Sequence, residues 1–306
     1  MKKPVIVVHG GAGVWRPERR KPALTGVKEA ATVGFEILKA DGNALDAVEA
    51  AVVCMEDNEV FNAGKGSTLT IDGGIEMEAS IMDGETLNAG AVGLLKNIKN
   101  PVRLARIVME HTDHVFVTST TAEKLAQAFS LERTDPLTEL RVRYWSELKQ
   151  KLNREKGIDY LPKLKKLLAS YPNLFETDTV GAVALDEDGN MAAATSTGGL
   201  TLKLPGRIGD TPLIGCGIYA DNEAGGCSTT GIGEVAIKLA LAKSTCDYTR
   251  SDKIAQKAAE RSIKLVNRRI NLKESMGLIA VDMRGGIGAA HNSRHLCWAC
   301  MTSEMR

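Results

Sequence analysis

Glutamine is nearly missing from this chain of 306 residues: Gln127, Gln150 and Gln256 are all it has. A shortage of thermolabile amides is a feature of thermophilic proteins. An excess of charge of one sign is missing too, with 39 Lys and Arg against 38 Asp and Glu and a formal net charge of +1. That balance argues against partners gathered by a strong field, nucleic acid and membrane surfaces above all. A charged small substrate stays open, because one local Arg or Asp can recognise it. No apolar run approaches the ~20 residues of a membrane span. The first apolar run, Val5 to Val8, is ended by Gly10-Gly11 before it could be a signal peptide. The expectation is a cytoplasmic protein.

The six cysteines lack the spacing of a secreted disulfide framework. Cys297-Trp298-Ala299-Cys300 is a lone C-x-x-C pair with His291 and His295 nearby, and zinc would want a second pair or two well-spaced histidines. A late, partly buried strand explains the pair better. His111-x-x-His114 lacks a third ligand and is read as a helix-to-strand junction. His9-Gly10-Gly11-Ala12-Gly13 has neither the lysine of a P-loop nor G-x-G-x-x-G opening a helix, so it is read as a tight backbone turn rather than a phosphate cradle.

What is present is a chain of short strands and helix pairs. Val5 to Val8 predicts a strand, and Ala23 to Ala40 a helix closed by Asp41-Gly42. Asn43 caps a second helix whose small apolar residues face several sides. Strands are predicted at Thr68 to Ile71, Ile75 to Met82 and Ala89 to Leu95. Pro101 to Glu110 reads as a helix, Val115 to Thr118 as a strand and Thr120 to Phe129 as a helix. Residues 131–177 are charged and thinly apolar, which predicts a solvated amphipathic helix leading into a mobile linker rather than a nucleic-acid module. Strands are then predicted at Val180 to Leu185, Met191 to Thr195, Leu213 to Tyr219 and Gly226 to Thr229. Helices follow at Glu234 to Lys243 and Lys253 to Ile270, then strands at Gly277 to Asp282, Ile287 to His291 and Leu296 to Met301. Strand-rich cores in both halves, with helix pairs outside, predict an α+β protein of stacked sheets covered by helices rather than an alternating doubly wound fold.

Thr179 stands at the seam between the charged segment and a core strand. If the chain were cut before it, Thr179 would carry a free α-amine next to its own hydroxyl, which is the threonine form of an activated nucleophile. Thr230-Gly231, just before a predicted helix, offers a hydroxyl and backbone N–H groups suited to an oxyanion; losing one such donor typically costs about 3 kcal/mol of transition-state stabilisation. Arg207 and Asp210, three apart in a loop, offer a guanidinium fork for a carboxylate and a carboxylate for an ammonium, the two ends of a free amino acid. Singly, each has a plainer reading: a β-branched strand residue, a helix cap, a surface ion pair. Together they point to catalysis.

The runs Asp178-Thr179-Val180-Gly181-Ala182-Val183-Ala184-Leu185-Asp186, Ala192-Ala193-Ala194-Thr195-Ser196-Thr197-Gly198-Gly199 and Lys203-Leu204-Pro205-Gly206-Arg207-Ile208-Gly209-Asp210 closely resemble the plant-type L-asparaginase/isoaspartyl peptidase family. His9 to Gly13 and Phe61-Asn62-Ala63-Gly64 extend the resemblance into the first half. It implies an N-terminal nucleophile hydrolase with a four-layer α/β/β/α sandwich. It further implies self-cleavage between Asp178 and Thr179 into an α-subunit (1–178) and a β-subunit (179–306) that stay associated, as a dimer of such pairs. Thr179 would be nucleophile and, through its new α-amine, base; Thr197 would orient it, and Thr230 and Gly231 would form the oxyanion hole. Arg207 and Asp210 would bind the substrate's α-carboxylate and α-amine, with Gly233 adding a backbone contact. The implied substrates are L-asparagine and β-aspartyl dipeptides. No cofactor is expected in catalysis, and a structural sodium ion would sit on the backbone carbonyls of Met55, Glu56, Asn58, Phe61, Ala63 and Lys65. The rival readings are a glycosylasparaginase-like hydrolase, a threonine aspartase, disfavoured by the free-amino-acid clamp, and a non-catalytic amino-acid-binding protein that keeps the clamp without the cut.

Overall fold

The computed structural model describes residues 2–154, 179–270 and 276–305. Eleven strands and eight helices are found among them, in two sheets. The larger sheet has seven strands in the order β11 (His295–Thr302), β1 (Val5–Gly13), β5 (Val180–Leu185), β6 (Met191–Thr197), β2 (Met77–Asp83), β3 (Ala89–Leu95) and β4 (Phe116–Thr118). Its pairs are antiparallel except β3 with β4. The smaller sheet runs β10 (Ile287–His291), β9 (Met276–Val281), β8 (Gly225–Gly231), β7 (Ile218–Asp221), all antiparallel.

Side-chain alternation decides which way each strand faces. In β1, Ile6 and Val8 join an apolar cluster with α1 (Pro17–Lys39), α2 (Ala44–Glu56) and α3 (Pro101–His111), while Val5 and Val7 join another with Ile279 and Val281 of β9. The same split holds along β5. Val180, Ala182 and Ala184 face the helices, and Val183 and Leu185 face the second sheet. The smaller sheet turns Cys227, Met276 and Leu278 outward onto α6 (Gly233–Leu239), α7 (Leu241–Asp252) and α8 (Ala255–Arg269). A strand buried on both faces has no polar alternation, which is why β1, β5 and β6 read as continuous apolar or small runs.

Several boundaries differ from the expectations, each for a local reason. The His9-to-Gly13 run is not a turn: β1 continues through it, with a register shift between His9 and Gly11 where Gly11 has φ 121°. Glycine is required there by packing as well, since a side chain at Gly10 would collide with the Phe61 ring. α1 starts six residues before Ala23, at Pro17, whose fixed φ suits a first helical position. Asn43 caps α2 as expected, its side chain accepting the Asp46 N–H at 2.7 Å. Residues 68–71 form no strand; Thr70 closes a turn onto Gly74 instead, and Leu69 and Ile71 bond to the backbone of Leu202 and Lys203. β7 starts only at Ile218, because Leu213 to Gly217 is wound into turns around Gly215 at φ 90°. The helix expected at 234–243 is split into α6 and α7 by Ala240, which adopts a left-handed conformation.

The segment expected to be a linker is ordered over its first part. α4 (Ser119–Ala128) is followed by α5 (Glu139–Arg154), which buries Tyr144 and Leu148. The Trp145 indole N–H donates to the Thr70 carbonyl at 2.8 Å, and the Arg16 guanidinium lies 3.9 Å over the Tyr144 ring. Residues 155–178, including the rest of the expected linker and Asp178, lie outside the described residues.

No helix among the described residues is long and apolar enough to cross a membrane. Among the same residues no group of three His, Cys, Asp or Glu side chains could hold a metal ion. Cys297 and Cys300 are three apart on β11 and therefore point to opposite faces. His111 ends α3 and stacks on Phe129 at 4.8 Å between ring centres.

Candidate active site

The alternation that buries Val183 and Leu185 between the sheets carries Gly181 and Thr179 to the same face. Across the gap, β8 aligns against β5. A Cβ at Gly226 would lie 2.5 Å from Val183 Cγ1, and one at Gly181 would collide with Ser228 Oγ. Two residues further along, the same alternation leads to Thr179 on one strand and Thr230 on the other. Thr179 is only 7% exposed although it is the first described residue after residue 178, and Thr230 is fully buried.

The same parity turns Thr197 of β6 into the gap, where its Oγ1 lies 3.2 Å from Thr179 Oγ1 and accepts the Gly199 N–H at 2.9 Å. Thr230 and Gly231 end β8 rather than starting the helix, which begins at Gly233. Gly231 has φ 133°, a conformation that favours glycine and turns the chain out of the strand. The bulge in β1 delivers the Ala12 N–H to Thr230 Oγ1 at 3.2 Å. Beneath the nucleophile position, His9 is fully buried with Nε2 2.8 Å from Ser228 Oγ. Burial pushes its pKa down to about 3, with the nearby Thr179 backbone working the other way. His9 is therefore a neutral packing and hydrogen-bonding group at any ordinary pH.

Arg207 and Asp210 come together in one corner with Gly233. A Cβ at Gly233 would lie 2.8 Å from Asp210 Oδ1 and 2.9 Å from Arg207 Nη2, so the absence of a side chain there leaves the clamp its space. Asp210 accepts the Thr229 hydroxyl at 2.9 Å. Burial raises its carboxyl pKa to about 6, against the Thr229 hydrogen bond and the Arg207 charge. Arg207 holds a bidentate pair with Glu234, Nε to Oε1 at 3.0 Å and Nη2 to Oε2 at 2.9 Å. Burial opposes the guanidinium's charge, but Glu234, then Glu78 and Asp210, outweigh it and keep Arg207 firmly cationic. Nη1 donates no hydrogen bond among the described residues.

The structure thus brings Thr179 to Thr197 and Arg207 to Asp210 and Gly233, and the Thr229 hydroxyl ties Asp210 to the strand that carries Thr230; Asp178 lies outside the described residues. Others were missed. Asn62 donates to the Gly199 carbonyl at 2.7 Å and accepts the Thr68 N–H at 2.7 Å, tying the 61–68 loop to the loop that fixes Thr197. Glu234 and Thr229 sit next to residues that were singled out, and only their partners reveal them. Glu78 and Lys203 form a buried pair behind the clamp, and nothing local in the sequence marks them.

A family model described as asparaginase matches residues 2–306. The chain is 49% identical over 301 residues to a plant-type L-asparaginase of Thermococcus kodakarensis, covering 98% of this chain and 97% of that one. It is 50% identical over 301 residues to one of Pyrococcus abyssi, with the same coverage. It is 43% identical over 297 residues to the human isoaspartyl peptidase/L-asparaginase, covering 97% of this chain and 92% of the human one. With a threonine pair facing a second sheet, an Arg/Asp clamp beside it and a match along almost its whole length, the chain belongs to the asparaginase family.

Proposed function

We propose that this protein is a self-processing amidohydrolase that converts L-asparagine to L-aspartate and ammonia and cleaves β-aspartyl dipeptides. The observation that carries the reading is the placement of Thr179, buried between the sheets with its hydroxyl on Thr197 and its strand in step with Thr230. The relatives' names, plant-type L-asparaginase and isoaspartyl peptidase/L-asparaginase, supply the substrate class. The three apolar clusters, one on each side of the larger sheet and one outside the smaller, support a four-layer α/β/β/α sandwich.

In this reading the chain cleaves itself between Asp178 and Thr179, and fragments 1–178 and 179–306 remain together as one half of a dimer. The new α-amine of Thr179, with an unperturbed pKa of about 8, takes the hydroxyl proton as Oγ1 attacks the side-chain amide carbon. Thr230 and Gly231 stabilise the negative charge that develops on the amide oxygen. The amine returns the proton to the leaving nitrogen, ammonia or the dipeptide's amine departs, and a β-aspartyl ester remains on Thr179. Water, deprotonated by the same amine, attacks the ester carbon; the amine then returns the proton to Thr179 Oγ1 as its bond to the acyl carbon breaks and aspartate leaves. Arg207 and Asp210 hold the α-carboxylate and α-ammonium throughout, so that the β-carbonyl is the one presented.

We further propose a structural sodium ion on the 55–65 loop. At Gly64 (φ 48°) a Cβ would lie 2.5 Å from the Glu56 carbonyl oxygen. At Gly66 (φ 95°) one would lie 2.5 Å from that of Glu59 and 2.8 Å from that of Phe61. The two glycines leave room for these backbone carbonyl oxygens, which are the donor type a hard cation takes. Met55, Glu56, Asn58, Phe61, Ala63 and Lys65 would hold the ion, which would brace the loop that carries Asn62.

Intact mass and L-asparagine turnover of the wild type and Thr179→Ala test the function. Two fragments meeting at Asp178/Thr179 and ammonia release are expected from the wild type, and one inert chain from the variant. A wild type that stays whole and inert would lack the base this chemistry needs, and would leave an amino-acid-binding protein as the reading.

A further inference from the structure

Glu78 and Lys203 are the most deeply buried ion pair among the described residues, with side chains 0% and 1% exposed and Lys203 Nζ 3.2 Å from Glu78 Oε1. A buried pair is a poor device for stability alone, since well-packed apolar residues of similar size often serve as well or better. Its hydrogen bonds lead elsewhere. Glu78 Oε2 accepts the Gly209 N–H at 3.0 Å, in the loop between Arg207 and Asp210. Two residues earlier, Glu76 Oε2 accepts the Gly206 N–H at 2.8 Å, at the other end of the same loop. Lys203 Nζ also donates to the Glu76 carbonyl at 2.7 Å, which fixes both glutamates to one anchor.

We propose that Glu78 and Glu76, tied by Lys203, are positioning residues that set the distance between the substrate clamp and the nucleophile. Glu76 and Glu78 bracket Arg207 from its two sides, and the negative charge of Glu78 acts on both Arg207 and Asp210. Glu78 also stands directly opposite Thr197 in the β2–β6 ladder. Lys203 Nζ lies where a Cβ at Gly199 would come within 2.7 Å, and Gly199 donates to Thr197. One buried pair therefore touches the loop that grips the amino-acid end of the ligand and the loop that aims Thr179. A shift of either carboxylate moves Arg207 and Asp210 relative to the reacting hydroxyl, which weakens binding before it harms the chemistry.

The inference rests on the proposed function, and wild-type kinetics on L-asparagine separate the two. No turnover by the wild type removes the function itself. With an active wild type, the test is Glu78→Leu/Lys203→Met, which replaces the pair by apolar residues, and Glu76→Ala, at a partly exposed position. The double variant should melt within a few degrees of wild type, with KM raised about tenfold or more and kcat lowered less than about threefold. Glu76→Ala should raise KM about threefold with its melting unchanged. L-Aspartate, which offers the clamp the same two groups, should protect both variants from heat less than it protects the wild type. A folded double variant with KM within about twofold of wild type would overturn the proposal, and so would a fall in kcat with KM unmoved. If the double variant does not fold, an unchanged KM in Glu76→Ala overturns it alone.

Discussion

Asp210 is where burial and function meet most sharply. Its carboxyl is pushed up to about 6 by burial, although Thr229 and Arg207 both favour the charged form. A ligand ammonium needs it ionised, so in the proposed enzyme kcat/KM for L-asparagine should rise with pH through about 6. That limb reports the free enzyme; once the ammonium is bound beside it, Asp210 ionises more readily and the corresponding limb in kcat should lie lower. A pH profile of both parameters checks this, with Asp210→Asn expected to lose the limb along with most of the binding. Coincident limbs in kcat and kcat/KM would mean that Asp210 does not face the ammonium. His9 contributes nothing to these profiles, being neutral down to about pH 3. The clamp pattern Arg207-x-x-Asp210 was legible in the sequence. Glu234, which occupies two nitrogens of Arg207, was not, because 27 positions separate the pair.

Among the elements, α5 departs most from its expected character. Its composition predicts a solvated helix, and its outer face is charged, but Tyr144 and Leu148 are buried and Trp145 covers the 70–74 turn. Lys149 lies 4.2 Å over the Trp145 ring and Arg16 reaches Glu147 at 3.1 Å. Trp145→Ala removes one hydrogen bond and the ring's packing, worth about 2 kcal/mol together, and should free this helix without touching the sheets. Limited proteolysis within 139–154 should then be faster at an unchanged global melting temperature; an unchanged cleavage rate would mean that the helix is held by other contacts. β1 shows the converse case. Glycine clusters signal turns locally, yet here Gly10 and Gly11 stay in a strand, because the Phe61 ring leaves no room for a side chain at Gly10 and the bulge puts Gly11 at φ 121°.

At the scale of the whole molecule, one buried acid links the helical layer to the site. Glu56 ends α2, accepts the Val102 N–H at 3.1 Å, and is pushed up to about 8 by burial, against that hydrogen bond and the neighbouring Ser196 and Asn100 side chains. Its folded pKa stands above the unfolded value, so the native state holds a proton that the unfolded chain gives up. That contribution is complete below about pH 4.5 and is lost as pH rises toward 8. Above pH 6.5 the similar loss from Asp210 is nearly over. Between pH 6.5 and 8 the wild type should therefore lose about 1 kcal/mol of stability per pH unit from Glu56, and Glu56→Gln should flatten that slope. Denaturant titrations at three pH values check it, and parallel slopes in the two proteins would exclude Glu56 as the cause. The sequence by itself determined the α+β class, the strands whose apolar runs are buried on both faces, and the chemical types gathered at Thr179, Thr197, Arg207, Asp210 and Thr230. Those are encoded in periods of two and in short runs, which act within a few residues. The tertiary structure alone decided that Thr179 meets Thr197, that Glu234 and Glu78 serve Arg207 and its loop, and that α5 docks. Each of these depends on which face of one sheet meets the other, and that is fixed by packing between segments far apart in the chain.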